Sequence, residues 1–324
     1  MERMTRCQRL IENKRTVRKK LILSILIILS TIGLGFIVKV KLNKESDKIN
    51  INEENLVEEN EKKDDSGITN NEKRKSLDNS GYLPLEKDSN ADDAIIVGNT
   101  TEKLLKEEIK FPVRSDGKKV VYLTFDDGPS TTNTPKVLDI LKLNGIKATF
   151  MIFGRNLDGS QEAKAILKRT VEEGHAIGNH TYSHDYGYLY PNGIINVDNF
   201  MSDIEKCNDT LKHALGKDFS TRVIRFPGGY WSWGGRINVR SIIDQKGYDI
   251  IDWNTLSEDA QGKTNKNAKE LIEVTKINLA SLGANVDNVV FLMHDTYGKE
   301  ETVKSLQGII NIFREKGFEF RTIK

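Results

Sequence analysis

The chain has 324 residues, with 49 Lys and Arg against 47 Asp and Glu, for a net charge of +2. At 30% charged residues that balance provides no global field to gather a polyanion, so a nucleic-acid partner is not expected. The length admits one large domain or two small ones, and two cysteines exclude a disulfide-stapled framework.

Residues 1–20 carry eight Lys and Arg, and residues 21–38 hold thirteen Leu, Ile, Phe or Val and no charge. At about 1.5 Å per residue the apolar run is about 27 Å long, enough for a thin bilayer. It is long for a signal-peptide core and ends in Lys39-Val40-Lys41 without a small-x-small cleavage motif. It therefore reads as an uncleaved transmembrane signal anchor rather than a cleaved leader. The basic flank places the N-terminus in the cytoplasm and the remainder outside, giving a single-pass, extracytoplasmic protein at the cell membrane. Cys7 and Cys207 then lie on opposite sides and cannot pair, and Cys207 is expected in a core. A monomer is expected.

Residues 39–90 are Asn, Lys, Glu, Asp and Ser with scattered aliphatics. They cannot bury enough apolar surface to offset chain entropy and read as a disordered linker. Residues 91–117 read as a partly ordered lead-in, with an amphipathic turn around Leu104, Leu105 and Ile109. From 118 to 324 the pattern is α/β. Strands are expected at 120–125, 148–153, 176–178, 223–226, 248–253, 289–293 and 318–323. Helices are expected at 134–144, 161–173, 196–215, 237–246, 267–282 and 302–316, several followed closely by a glycine. Alternating strands and helices imply a parallel sheet, and right-handed crossovers make a distorted (β/α)7-8 barrel the simplest architecture.

In such a barrel the C-terminal strand ends converge on one face. Asp126 and Asp127 follow the first strand, His180 and His184 the third. Arg225 ends the fourth strand, Asp252 the fifth, and His294-Asp295 the sixth. One carboxylate with two imidazoles is a ligand set for a divalent metal that keeps an open coordination position, and the second carboxylate is then free as a base. A helix cap or turn before Gly128-Pro129 explains one aspartate but not two. Arg225 is suited to holding and orienting a carboxylate, and Asp252 to orienting His294 and raising its pKa. His175 and His213 read as structural. Tyr230, Trp231 and Trp233 sit in a Gly-rich loop and suit either stacking on sugar faces or loop packing; the tyrosines at 182, 186, 188 and 190 are equally open.

Segments 124–128, 180–184, 225–229, 249–253 and 292–295 resemble, in order, the five motifs of the polysaccharide deacetylases of the carbohydrate esterase type. That family includes chitin and peptidoglycan N-acetylglucosamine deacetylases, and the resemblance spans roughly 118–324. It implies a distorted β/α barrel and a metal held by Asp127, His180 and His184, with Asp126 as general base. It further implies that Arg225 positions the base, that His294 is the catalytic acid and that Asp252 is the partner of that acid. Trp253 and Leu292 resemble the pocket for the acetyl methyl, with Tyr230 nearby on the substrate side. The third motif commonly has an aromatic after its proline, where this chain has Gly228. The backbone N–H that helps bind the oxyanion is kept there while the side chain is lost.

The function expected is metal-dependent removal of N-acetyl groups from a cell-wall glycan, first N-acetylglucosamine of peptidoglycan. N-acetylmuramic acid, an exopolysaccharide, chitooligosaccharide and O-acetylated xylan are the other substrates. Zn2+ is the expected metal, with Co2+, Ni2+ and Mn2+ as alternatives. A catalytically silent glycan-binding protein is the competing class, but it needs no base beside a ligand. An amidohydrolase of small amides would have little use for a tether.

Overall fold

The computed structural model describes residues 83–324. The basic segment, the apolar span 21–38 and residues 39–82 of the expected linker lie outside the described residues; the last stretch of that linker, 83–90, is instead structured, with a 3-10 turn at Leu85–Lys87 and Asp88 buried. Among the described residues no helix is long and apolar enough to cross a membrane.

In chain order the elements are β1 (Ala91–Asp92), α1 (Ala94–Leu105), β2 (Lys119–Gly128), α2 (Thr134–Leu143), β3 (Thr149–Ile152), α3 (Gln161–Glu172) and β4 (Ala176–Asn179). There follow α4 (Tyr186–Leu189), α5 (Val197–Leu215), β5 (Val223–Ile224), α6 (Arg236–Gln245), β6 (Asp249–Ile250) and β7 (Thr255–Leu256). The chain ends with α7 (Ala268–Ser281), β8 (Asn288–His294), α8 (Glu300–Glu315), β9 (Phe318–Phe320) and β10 (Thr322–Ile323). The main sheet runs β6-β5-β4-β3-β2-β8-β7, with β9 also on β2, and every pairing is parallel. It curls as the expected distorted barrel does, but β6 and β7 at its two ends do not pair, so the barrel stays open.

β2 shows why the sequence builds this sheet. Its residues are apolar almost without interruption because both faces are covered. Val121, Leu123 and Phe125 pack outward with the helices, against residues such as Leu138 of α2, Leu167 of α3 and Phe313 of α8. Val120 and Tyr122 point inward, to Met151, Val223 and Val290. Cys207 of α5 is buried in the outer layer, as expected.

Two further expectations need correction. The lead-in is not a loose turn: α1 is a regular twelve-residue helix, capped by Asp93, whose side chain accepts from Ile95 N–H. Its buried Ala94 and Val97 join the interior cluster, and it packs on β6 at the open edge. Asp92 anchors this segment, accepting from Tyr122 Oη at 2.6 Å, Arg321 Nη1 at 2.7 Å and Arg114 Nη1 at 3.2 Å. Single strands expected at 248–253 and 318–323 are instead split, the first ending at Ile250 before β7, the second into β9 and β10.

The contact between α1 and β6 depends on Gly98. A Cβ there would lie 2.8 Å from the Ile250 carbonyl oxygen, a backbone atom that cannot move aside. Gly98→Val is therefore expected to cost about 1–3 kcal/mol through overpacking. Thermal unfolding of the variant should show a midpoint lower by several degrees. An unchanged midpoint would mean that α1 does not hold this edge.

Candidate active site

The alternation along β2 turns Thr124 and Asp126 inward, and an uninterrupted strand would turn Asp127 outward. The register against β3 skips a residue here: Asp126 pairs with Met151 and Gly128 with Ile152, leaving Asp127 as a bulge with φ +68°. A bulge re-aims a side chain, and this one brings two consecutive carboxylates to the same side. Asp127 Oδ1 lies 3.3 Å from His180 Nε2 and 3.2 Å from His184 Nε2, and Asp126 Oδ2 lies 3.6 Å from His180 Nε2.

The histidines come from the loop after β4, where Thr181 and His184 also adopt left-handed backbone, at φ +68° and +49°. Its backbone is held by side chains around it. Asn179 Oδ1 accepts from Thr181 N–H at 2.8 Å, and Asp203 Oδ2 of α5 accepts from the N–H groups of Tyr182 and Ser183 at 2.9 and 2.8 Å. Asn156 donates to the Asp127 carbonyl at 2.8 Å, fixing the bulge from the other side.

Asp127, His180 and His184 each offer a ligand atom within 4.8 Å of the others, and they fit a divalent ion. Two observations carry this. His180 Nδ1 sits 2.9 Å from the Arg225 carbonyl, which only accepts, so the hydrogen is on Nδ1 and Nε2 is turned toward the carboxylates. Asp127 Oδ1 is buried and has no hydrogen-bond donor. Something positive belongs between these atoms. A proton satisfies one pair, whereas a cation satisfies all three donors at once. The electrostatics agree. Burial disfavours charge on His180, yet Asp126 and Asp127 raise its pKa; burial and the neighbouring His180 lower that of His184. Burial alone would raise Asp127, but His180, with His294 and His184, holds it well below the usual carboxylate range.

Arg225 is fully buried and positions Asp126. Its Nη1 donates to Asp126 Oδ1 at 2.7 Å and to Thr124 Oγ1 at 2.8 Å, while Nε donates to the Ile251 carbonyl at 2.8 Å. On the other side, the register of β2 and β8 puts His294 directly beside Asp126. Leu292, two residues earlier on the same face of β8, is buried beneath His294. Trp253 lies against the Arg225 guanidinium, 5.6 Å from its ring centroid, and under Gly229.

The partner of His294 is Asp259, not Asp252. Asp259 Oδ1 lies 2.9 Å from His294 Nδ1, and its Oδ2 accepts from His294 N–H and from Thr302 Oγ1, both at 2.8 Å. Asp252 instead accepts from Tyr230 N–H at 3.2 Å, and burial pushes its carboxyl up to about 6. Tyr230 is also corrected. It is only 5% exposed and its hydroxyl donates to the Arg236 carbonyl, so it props the loop after β5 instead of meeting substrate. Gly228, at φ +75°, stands in that loop beside Trp233 and Tyr186. Burial, then the Asp127 and Asp126 carboxylates, pushes the Tyr186 phenol up to about 12. His175 is buried at the far end of the sheet and accepts from Ala148 N–H at 3.0 Å.

An arginine-held carboxylate, a donor set that fits a cation and a carboxylate-paired imidazole around one inward face suit hydrolysis of an acyl bond by water. A family model for polysaccharide deacetylase matches residues 114–251, a stretch that stops short of Asp259 and His294. A peptidoglycan-N-acetylglucosamine deacetylase of Bacillus cereus is 34% identical over 214 residues, 64% of this chain and 67% of that protein. A CE4 esterase of Streptococcus mutans superposes with a TM-score of 0.66 at 30% identity, covering 78% of this chain and 99% of that one. A Bacillus cereus polysaccharide deacetylase gives a TM-score of 0.54 at 29% identity over 63% of this chain and 92% of that one. The chain belongs to the polysaccharide deacetylase family, and it is a deacetylase.

Burial opposes charge on His294, but Asp259 overcomes it and raises the imidazole to about 9. An acid must be protonated to donate, so turnover is expected to persist below that value and fall as pH rises through it. In Asp259→Asn the raising charge is gone, and the alkaline limb of kcat/KM should move down by at least one pH unit, roughly. A limb that stays in place would exclude His294 as the acid.

Proposed function

We propose that this chain removes N-acetyl groups from N-acetylglucosamine of peptidoglycan, using a divalent metal with Zn2+ foremost, while tethered to the outer side of the cell membrane. The observation that carries the chemistry is the juxtaposition of Asp126 and His294 on neighbouring strands, beside the Asp127, His180 and His184 donor set. The relatives named as peptidoglycan-N-acetylglucosamine deacetylases favour that substrate. The basic segment, apolar span and polar linker of residues 1–82 support the tether.

An amide is a weak electrophile with a poor leaving group. Asp127, His180 and His184 would hold a divalent ion, which would supply Lewis acidity to polarise the acetyl carbonyl and to acidify the attacking water. Asp126, held in place by Arg225, takes the proton from that water as it attacks. On this reading the backbone N–H of Gly228 donates to the developing oxyanion. Expulsion of an amide anion is prohibitive, so His294, charged through Asp259, gives its proton to the departing nitrogen. Acetate and a glucosamine residue leave.

The test is mass spectrometry of purified peptidoglycan after incubation with the full-length protein. Loss of acetyl mass on N-acetylglucosamine is expected, and loss confined to N-acetylmuramic acid, or to ester-linked acetyl groups of other glycans, would overturn the assignment. A strong chelator and Asp127→Ala should each abolish turnover, with Zn2+ restoring activity after chelation only. Asp126→Asn should lower kcat by about 10²–10⁴ and keep its metal content by elemental analysis. Full activity in chelator would refute the metal role.

A further inference from the structure

The loop after β5 carries no side chain at Gly228, yet the space such a side chain would take is filled. A Cβ at Gly228 would lie 3.1 Å from Trp233 Cζ2 and 3.3 Å from Tyr186 Oη. Trp233 is fixed: its Nε1 donates to the Pro227 carbonyl at 2.8 Å, and its ring stacks on Tyr190 with centroids 4.1 Å apart. Tyr186 is the outer member of the group. Its ring packs 5.2 Å from Trp233 on one side and 5.3 Å from the metal-ligand candidate His184 on the other.

Tyr186 is held there by local structure. Immediately after His184, Asp185 accepts from the N–H groups of Gly187 and Tyr188 at 2.8 and 3.1 Å and turns the chain into α4. The residue is nevertheless 46% exposed, and among the described residues its hydroxyl makes no hydrogen bond. An aromatic ring wedged beside a ligand histidine, with a free hydroxyl at the mouth of the site, is built to meet substrate.

Resting on the deacetylase reading of the site, we propose that Tyr186 supplies from the loop after β4 the substrate contact missing at Gly228. Its ring forms the wall against which the acetylated sugar packs, and its hydroxyl donates a hydrogen bond to that sugar. Trp233 is a positioning residue that keeps the ring upright.

The full-length protein and its Tyr186→Phe and Tyr186→Ala variants are compared on an N-acetylglucosamine oligomer and on para-nitrophenyl acetate, which has no sugar. In Tyr186→Phe the ratio of kcat/KM for the oligomer to that for the aryl ester should fall about tenfold, chiefly through KM, as loss of one hydrogen bond requires. Tyr186→Ala should lower the ratio further. An unchanged ratio in both variants would overturn the proposal. So would an equal decline on both substrates accompanied by lost metal, which would make Tyr186 a prop for His184. Wild-type protein that cleaves the aryl ester but no acetylated glycan would refute the proposed function instead. Oligomer affinity by calorimetry then decides Tyr186: weaker binding by Tyr186→Phe supports its role, and equal or absent binding overturns it.

Discussion

The site depends on two consecutive carboxylates that share one face of a strand. Left to the pleat, Asp126 and Asp127 would face opposite ways and only one would reach the barrel interior. The bulge at Asp127 removes that choice, and like charges then crowd on one partly buried face where water screens them less than in bulk solvent. Much of the rest of the site answers this crowding. The Arg225 guanidinium neutralises Asp126, and the imidazoles of His180 and His184 face Asp127. The charge on His294 is set separately, by Asp259 behind it. On the proposed reading a cation at Asp127 would complete the balance, and the base would be distinguished from the ligand by its partner: Asp126 is held by an arginine, while Asp127 Oδ1 has no donor of its own.

Such an arrangement has a conformational cost. Asp127, Thr181 and His184 all adopt left-handed backbone, each roughly 1–3 kcal/mol less favourable than ordinary conformations for residues that are not glycine. The strain persists because Asn156, Asn179 and Asp203 satisfy the strained peptide groups from three different elements. Asp203 is almost fully buried yet accepts three hydrogen bonds from the histidine loop, so its burial is compensated. None of these residues touches the reacting atoms. They convert a costly loop into one with little freedom, which is what near-attack geometry demands.

How much of this is visible in the sequence depends on element length. β2 and β8 are long apolar runs ending in charged residues, and their strand ends announce Asp126 and His294 directly. β6 and β7 have two residues each, too few for any alternation to register, and the chain between them turns before it can be read as one strand. Asp252 therefore looked like a strand-end carboxylate facing His294, while Asp259, in the run Ser257-Glu258-Asp259-Ala260, carried no periodic signal. Glu258, at φ +59°, makes the turn that aims Asp259 inward, and no side-chain pattern records that. Tyr230 misleads for a related reason: a glycine-rich loop suggests exposure, but the loop folds over its own aromatic residue. α1 leaves little mark in the sequence because its apolar residues cover one edge of a sheet that is itself unmarked there.

The same lead-in segment settles the polarity of the barrel. β1 pairs with β10, and Asp92 bonds Tyr122, which lies four residues before Asp126 on the same inward face of β2. Ile323 N–H donates to Thr149 Oγ1 at the start of β3, so this short pair lies across the N-terminal ends of the strands. The described chain begins at Leu83, whose carbonyl accepts from Lys324 Nζ at that end, away from the metal donors. Whatever precedes Leu83 is thus joined opposite the rim where Asp126, His184 and His294 gather. On the reading proposed above, a tether attached at that end leaves the rim unobstructed, and a glycan strand can lie across it without crossing the protein's own linker. Pairing β1 with β10 also ties the N-terminal end of the described chain to the core of the barrel, so that on the same reading a pull from that end would be borne by β1 and β10 and not by the loops that hold the site.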